Sequence, residues 1–375
     1  VGTYEAEMRG REKKQVVLFS TATIESMVEK KLPSDHPLRK IRERTNQVLK
    51  ELSPQFDDLY SNTGRPSIPP EYMLRALLWM ALFSIRSERQ LEETIRYDLR
   101  CRWFIGLSLD NDAWDHSTFS KARESLVLNV LAESFFQQHL DFLREAGLLS
   151  DEHLSVDGTL LGAWASHKSL VLRSDLDKSG KPPPPPEGGR NGWVDFKGKK
   201  RSNATHVSAT DPDARLASKG VGAKLSHELS VIAENRNNFA IGLAVKSPTG
   251  TSEKEAAEVL VKQEIKAGRK PSTVGGDRKY SDGDSLVEAL VDESVTPHFA
   301  VRDDRPNAAA RLFQEESGYV VSIRKRMRIE EIFAFVKTIG GLAKMKVRGT
   351  SRVLGVATIA VAAYNLTHEA RLVPA

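Results

Sequence analysis

Cysteine is almost absent. The 375 residues contain one, Cys101, which excludes internal disulfides and any zinc site built from several thiolates. Beside Trp103 and Phe104 it reads as a packed core thiol, and a chain with this cysteine usage suits a reducing cytoplasm. No apolar run reaches the ~20 residues of a bilayer crossing. The most apolar stretch, Val353 to Tyr364, falls short of it, so no membrane association is expected. The first residues, Val1-Gly2-Thr3-Tyr4-Glu5, lack the charged-then-apolar plan of a secretory signal. No Gly-Lys-Ser/Thr phosphate loop occurs, which disfavours ATP-driven chemistry. The nine histidines include no His-x-x-x-His pair, which disfavours zinc. His206, His227 and His298 read as packed histidines, although His298, near a strand end, is within the class that could approach a phosphate.

What is present fits a two-domain protein. The chain exceeds one typical core, and its apolar fraction is 40%. Net charge is +5 with a pI near 9.1, a general pointer to nucleic acid. Basic residues crowd Arg9 to Lys14, Arg39 to Arg44, Lys197 to Arg201 and Arg324 to Arg328. Solvated faces account for the first two as readily as DNA contact does.

Periodicity changes near Ser150. Residues 1–20 read as a polar arm and residues 21–148 as an all-helical domain of five or six helices. Leu38, Ile41, Val48 and Leu52 keep a helical period. Pro69 and Pro70 suit a first turn, with Glu71 complementing the dipole, and Met73, Leu74, Leu77, Leu78, Leu82 and Ile85 follow as an apolar side. Leu91, Ile95 and Leu99 mark another helix. Asp115-His116-Ser117-Thr118 reads as an N-cap before a long helix through Leu143. A helix-turn-helix is compatible with this domain, but spacing alone assigns no recognition helix.

Residues 149–375 read as a sheet-containing domain. Its insertion, residues 163–220, holds the stiff spacer Pro182 to Pro186 and the basic run Lys197, Lys199, Lys200 and Arg201. The insertion reads equally as a DNA-facing element, which the basic run favours, or as a plain loop. Trp193 within it could stack on an unpaired base, although a lone aromatic needs no such explanation. Leu225 to Glu234 and Phe239 to Lys246 read as an antiparallel pair turned at Asn235 to Asn238. A helix over 252–267, a strand ending at Asp277, a helix over 284–292 and a strand over 297–301 follow.

Three acidic residues stand out. Asp157 ends the apolar run Leu154-Ser155-Val156. Asp277 ends Ser272-Thr273-Val274-Gly275-Gly276, where the glycines allow close backbone approach. Glu330 falls on an expected helix from Arg326 to Ile339. Two strand-end carboxylates and one helical carboxylate converge only through tertiary folding. Such a set suits two Mg²⁺ ions, hard cations that prefer oxygen, which assist attack and departure at phosphorus. At ~100° per residue, Ile329, Ile332, Phe333 and Val336 form an apolar stripe. Arg326, Glu330 and Lys337 lie on its flank, and Glu331 on the far side. Glu330 is therefore the better ligand candidate. An amphipathic helix with ordinary i,i+4 and i,i+7 ion pairs has the same pattern.

These segments together resemble the DDE transposases of bacterial insertion sequences. That family's third motif is written Y-(2)-R-(3)-E-(6)-K, and Arg326, Glu330 and Lys337 stand at those spacings. Ile323 occupies the tyrosine position, with Tyr319 one turn earlier. Further phrases resemble the family in order: Ser208 to Arg215, Glu234-Asn235-Arg236-Asn237, Thr296-Pro297-His298, Gly340-Gly341-Leu342 and Ala362 to Leu366. The resemblance implies an α/β ribonuclease-H-like catalytic core, a mixed sheet in the order βββαβαβα with helices on both faces, after a helical N-terminal domain that recognises element ends and pairs subunits. It implies Asp157, Asp277 and Glu330 as catalytic ligands of two Mg²⁺ ions, with Mn²⁺ as a substitute. It implies DNA contacts by Arg326, Lys337, Lys197, Lys199, Lys200, Arg201, Arg324 and Lys325. The expected partners are the inverted-repeat ends, target DNA and at least one further copy of the chain, in a bacterial cytoplasm. Two alternatives stay open: a ribonuclease-H-like metal nuclease without strand transfer, and a transposase-derived DNA-binding protein without activity.

Overall fold

The computed structural model describes residues 23–58, 68–122, 130–177, 201–220, 222–281, 285–301 and 308–373. Contacts divide the chain into two compact units. One comprises residues 1–146, 338–341 and 355–375, and the other residues 147–337 and 342–354.

The first unit is helical. Its helices are α1 (Ile24–Lys31), α2 (Pro37–Asp58), α3 (Pro70–Leu82), α4 (Glu88–Tyr97), α5 (Leu99–Ile105), α6 (His116–Ala122) and α7 (Ala132–Glu145), joined by the later part of a C-terminal helix, α13 (Thr350–Leu372). Local chemistry sets the boundaries. Thr23 and Ser26 form a capping box on α1. Pro70 opens α3. Asp98 ends α4 and caps α5 by accepting from Arg100 N and Cys101 N, so Leu91, Ile95 and Leu99 lie on two helices rather than one. Asp115 accepts from Ser117 N at 2.9 Å, the expected cap of α6. The expected single helix to Leu143 is described only as α6 and α7, and the segment between them lies outside the described residues. Cys101 is buried, and burial pushes its thiol well above the usual range.

Three residues far apart in sequence lock this unit. His139 on α7 is fully buried, and its Nε2 sits 2.9 Å from Glu369 Oε2 on α13. Arg44 on α2 donates to Glu369 Oε1 at 2.8 Å. Burial pushes the His139 imidazole below its usual range against the pull of Glu369. Burial alone would raise Glu369, but the bonds from His139 and Arg44 outweigh it and hold the carboxyl low.

The second unit is built on a six-stranded mixed sheet in the order β4-β5-β1-β7-β8, with β6 also on β5. The strands are β1 (His153–Gly162), β4 (Arg215–Ala217), β5 (Lys224–Glu234), β6 (Ala240–Lys246), β7 (Thr273–Gly276) and β8 (Thr296–Phe299). A separate pair is β2 (Leu170–Leu172) with β3 (His206–Ser208). The helices are α8 (Ser252–Lys266), α9 (Ser285–Asp292), α10 (Ala308–Leu312), α11 (Tyr319–Arg326) and α12 (Ile329–Thr338). Setting aside the short β2, β3 and β4 and the short α10, the order through α12 is βββαβαβαα, the expected βββαβαβα with its last helix split into α11 and α12, and the core is ribonuclease-H-like. Antiparallel β5 and parallel β7 flank β1. Side chains alternate between faces along a strand, and directly paired residues share a face. Asp157 therefore shares a face with Thr159, Val231 and Leu229, and Gly158 shares the other with Glu228 and Ser230. Helix α8 covers the Gly158 face, where a Cβ on Gly242 would meet Leu260 at 3.3 Å. Helix α11 covers the other, where a Cβ on Gly275 would lie 3.7 Å from Ser322 O.

The β5–β6 turn is tied at its base by one carboxylate. Glu234, fully buried, accepts from Arg236 N at 2.7 Å, Asn237 N at 2.8 Å and Phe239 N at 3.1 Å. Asn238, at φ 69°, donates to Arg328 O at 2.9 Å. Among the described residues no helix is long and apolar enough to cross a membrane.

Glu369→Ala would strand a buried histidine and an arginine, at a cost of about 3–5 kcal/mol. Denaturant unfolding of wild type and variant measures it. The sign with pH follows from both groups. His139 is held neutral in the fold, so the unfolded chain binds the extra proton, and Glu369 is held ionised. Both contributions are present near pH 7 and decline as pH falls through the unfolded values near 6.5 and 4.5. Removing the carboxylate removes what raises His139, so Glu369→Gln should lose more stability than wild type between pH 7 and pH 4.5, and equal losses would remove the triad from the acid sensitivity.

Candidate active site

The register of β1 and β7 builds the site. Ser155 pairs with Gly275, and the same offset sets Asp157 level with Asp277, just past the carboxyl end of β7. Asp157 does not end its strand as expected. β1 runs on to Gly162 because β5 pairs with it throughout. On the other edge, β7 stops at Gly276, and the next pairing is the bridge of Gly162 with Lys344. Gly162 N and O both point to that edge, donating to Ala343 O and accepting from Met345 N, and Gly158 has the same parity. Its N–H donates to Asp157 Oδ1 at 2.7 Å, and its carbonyl accepts from Lys219 Nζ. Backbone groups left without a strand partner are thus satisfied by the acid and by a lysine.

Asp157 is pushed up to about 6. Burial is the main cause. The Gly158 N–H opposes it, the charge of Asp277 adds to it, and Lys219 and Glu253 contribute with opposite signs. Arg326 Nη1 lies 3.8 Å from Asp157 Oδ2, and its buried Nε has no hydrogen-bond partner. Lys337 Nζ donates to Thr159 Oγ1, two residues along the same face as Asp157. Burial and the nearby Lys219 both hold Lys337 below the usual ammonium range. Asp277, half-buried, accepts from Lys279 N at 2.9 Å.

Glu330 lies on the exposed flank of α12. The three carboxylates are not gathered: no set of ligand atoms from Asp157, Asp277 and Glu330 lies within 4.8 Å throughout. Glu331 turns to the β5–β6 turn, with Oε2 3.5 Å from Asn238 Nδ2. One expectation needs correction. Arg326 and Glu330 are not on one helix. α11 ends at Arg326, Met327 caps it, and α12 begins at Ile329. The break coincides with Arg328, whose guanidinium reaches Arg236 O and Asn237 O, each at 3.4 Å. Lys337 bonds Thr159 and makes no ion pair with Glu330.

The remaining expected DNA contacts divide. Arg324 is exposed and Lys325 half-buried in the last turn of α11. Arg201 donates to His167 O at 2.8 Å. Lys197, Lys199 and Lys200, like Trp193, Pro182 to Pro186 and the arm at 1–20, lie outside the described residues. The cluster from Arg39 to Arg44 is largely occupied internally. Arg39 donates to Glu29 O, Leu32 O and Pro33 O, Lys40 to Val373 O, and Arg42 to Glu25 while lying 4.3 Å over Trp103. His227 is buried against Asp211 at 2.8 Å. His298 is buried against Ser322 at 2.8 Å, so both are packed histidines as expected.

Four residues beside the site carried no sequence signal. Glu253, in the first turn of α8, lies against Gly158, where a Cβ would sit 2.6 Å from its Oε1. Lys219 and Lys279 lie 3.5 and 3.3 Å from its two oxygens. Glu228 accepts from Ser252 Oγ at 2.7 Å. Only folding brings these segments together. Among the described residues, the set of three metal-type ligands within 4.8 Å is Glu92, Asp115 and His116. There Asp115 caps α6, and Glu92 accepts from His116 N at 3.1 Å.

The sheet unit is thus a ribonuclease-H-like core with Asp157 and Asp277 level on adjacent strand segments. Residues 204–366 match the family described as Transposase DDE domain, and residues 26–125 match Transposase domain (DUF772). Both matched families are transposase families, and the two matches are consistent with a DDE transposase. Two solved structures are similar. A cryo-EM structure of the piggyBac transposase synaptic complex with hairpin DNA is 12% identical, with a TM-score of 0.40 over 89% of this chain and 75% of that one. A Mos1 transposase paired-end complex with the left transposon end is 10% identical, with a TM-score of 0.19 over 75% and 82%. At these TM-scores the likenesses bear no weight.

The all-oxygen donor set, with one acid desolvated beside a second, fits a hard divalent cation. In metal-free protein the ionised Asp157 should destabilise the fold. Its folded value is raised above the unfolded 3.8, so the folded chain binds more protons and stability falls as pH rises from about 4 to 6. The cost above pH 6 is of order 2–3 kcal/mol. Asp157→Asn should therefore melt higher than wild type at pH 7.5, with the gap closing towards pH 4. A lower melting temperature for the variant at pH 7.5 would contradict the burial argument.

Proposed function

We infer that the chain cuts DNA at the inverted-repeat ends of its own insertion element and joins the freed 3′-OH ends to target DNA. The observation that carries this is the levelling of Asp157 and Asp277 on adjacent parallel strands, with Arg326 and Lys337 beside them, in a transposase family. Asp157, Asp277 and Glu330 are the proposed ligands of two Mg²⁺ ions, with Mn²⁺ as a substitute. Bound there, the ions would supply charge neutralisation at the reacting phosphate and a more nucleophilic attacking oxygen. Asp157 on β1 and Asp277 just past β7 form the sheet-fixed part of the set, and Glu330 on α12 would have to close on them to complete it. Arg326 orients Asp157 and turns its remaining donors to phosphate. Lys337 holds Thr159 and offers a point charge. Arg324, Lys325, Lys197, Lys199, Lys200 and Arg201 are proposed to hold the DNA backbone.

The helical domain, residues 21–148, is proposed to read the element ends, and residues 149–375 to carry the chemistry. Joining two ends in one event calls for at least a dimer. The working environment is the bacterial cytoplasm, in association with DNA.

The decisive experiment incubates the protein with Mg²⁺ and labelled element-end duplex and resolves cleaved from joined products. Cleavage without joining selects the plain metal nuclease. Binding without either selects a non-enzymatic DNA-binding protein.

Asp157→Asn keeps the shape but removes an anionic ligand. It should lower cleavage by on the order of 10²–10³-fold, the scale of losing one stabiliser of transition-state charge, while DNA affinity stays near wild type. Glu330→Gln should lose cleavage similarly. Glu331→Gln, altering a residue that faces Asn238, should stay within a few-fold. Loss of cleavage in Glu331→Gln with retention in Glu330→Gln would reverse the assignment.

A further inference from the structure

Lys219, Lys279 and Lys337 lie beside the segments that carry Asp157 and Asp277. Lys219 Nζ donates to Gly158 O, on the free edge of β1 immediately after Asp157, and lies 3.5 Å from Glu253 Oε1. Lys279 follows Asp277 by two residues, and its Nζ lies 3.3 Å from Glu253 Oε2. The two ammonium-bearing side chains are 39% and 52% exposed, whereas Glu253 is 12% exposed. One carboxylate, wedged against a glycine that has no Cβ, thus holds two solvent-facing cations at the ends of the two strands that carry the acids.

Both ion pairs are long and half-exposed, the kind that contributes little to stability. Each ammonium has three donors. Lys219 uses two on Gly158 and Glu253, and Lys279 uses one on Glu253, so donors remain for an incoming anion. Lys337 bonds Thr159 of the opposite face. Behind the glycine, Glu228 Oε1 and the Tyr280 hydroxyl are buried without hydrogen-bond partners, and burial raises Glu228 above its usual range. Glu253 is the carboxylate within ion-pair distance of both lysines.

We propose that Lys219 and Lys279 bind the phosphates of the DNA strand being cut, and that the Glu253 carboxylate occupies the phosphate position until DNA arrives. The proposal rests on the transposase reading. Phosphate and carboxylate carry the same sign and similar oxygen geometry, so the exchange needs no rearrangement of strands. Lys219 and Lys279 act by holding phosphates on the Glu253 side of the sheet, next to the segments that carry Asp157 and Asp277.

The test measures binding of the full chain to the labelled element-end duplex in Ca²⁺, across 50–300 mM KCl, and cleavage separately in Mg²⁺. The double variant Lys219→Gln, Lys279→Gln should flatten the slope of log K against log salt by about 1.8, two contacts at about 0.9 each, and bind roughly 60-fold more weakly at 0.1 M. Glu253→Gln, isosteric with wild type, should bind more tightly, because the competing charge is gone. The double variant Lys219→Arg, Lys279→Arg should keep the wild-type slope, as should Lys270→Gln, an exposed lysine at the other end of β7. A merely structural role would move melting temperature in these variants but not shift affinity in opposite directions. An unchanged slope in the glutamine double variant, or a Glu253→Gln that binds no tighter, overturns the proposal. If Asp157→Asn cleaves like wild type, the transposase chemistry itself fails; slope and chemistry therefore fail separately.

Discussion

The sheet unit depends on β1 carrying a carboxylate at the point where one of its two neighbours stops. Antiparallel β5 pairs with β1 from Leu154 to Gly162, so Asp157 cannot leave the sheet by fraying. Parallel β7 ends level with it, so the other edge is open to side chains and ligands. A shorter β1 would expose Asp157 to water and lose its perturbation. A longer β7 would cover the edge and bury the acid beyond use. The acid is costly for the same reason that it is useful: desolvation raises Asp157, and an adjacent cation would relieve it.

Close approach on both faces follows from that arrangement. Gly158 allows Glu253 to lie against β1, and Gly276 accommodates Phe299 and Tyr280, which would lie 2.8–2.9 Å from a Cβ there. Side chains at either position would push α8 or the segment after Asp277 outward and separate the lysines from the acids. The glycines before Asp277 serve packing geometry, with no nucleotide loop involved.

Much of this was legible in the sequence. Strand order followed from the apolar runs at Leu154, Leu225, Phe239 and Thr273, because a half-buried strand must alternate and a central one must be apolar. The turn at Asn235 to Asn238 was legible as a turn, but its mechanism was not: Glu234 supplies three backbone acceptor bonds from a strand position that pattern alone reads as core. Helical phase placed Glu331 towards solvent and Glu330 beside the core, but Glu331 reaches Asn238 of the β5–β6 turn and Glu330 lies exposed, because the position of that distant turn is not written in the period of α12. Arg326 was misplaced because Met327 and Arg328 carry no helix-breaking residue type; the break arises where Arg328 reaches two carbonyls of a distant turn. The basic cluster at Arg39 to Arg44 was visible as charge only. Its carbonyl, carboxylate and aromatic partners come from other elements, and no local pattern announces them.

The same limit explains why Lys219, Glu253 and Lys279 left no trace in the sequence. Each lies in an unremarkable polar stretch, and their meaning is the single point they share. On the proposed transposase reading, charge at that point would let a protein of net charge +5 bring a polyanion against several carboxylates. The whole-molecule field is modest and is screened within about 10 Å at ordinary salt, so attraction has to be local. Arg326 and Lys337 lie on the Asp157 face of β1, and Lys219 and Lys279 gather about Glu253 on the other, four cations around two acids. With Glu253 in place their excess is held down. If phosphate displaces it, the full positive charge acts within contact distance of the bond to be cut. That order of events keeps the free protein from presenting an uncompensated cationic site, and it concentrates attraction where Asp157 and Asp277 can use it.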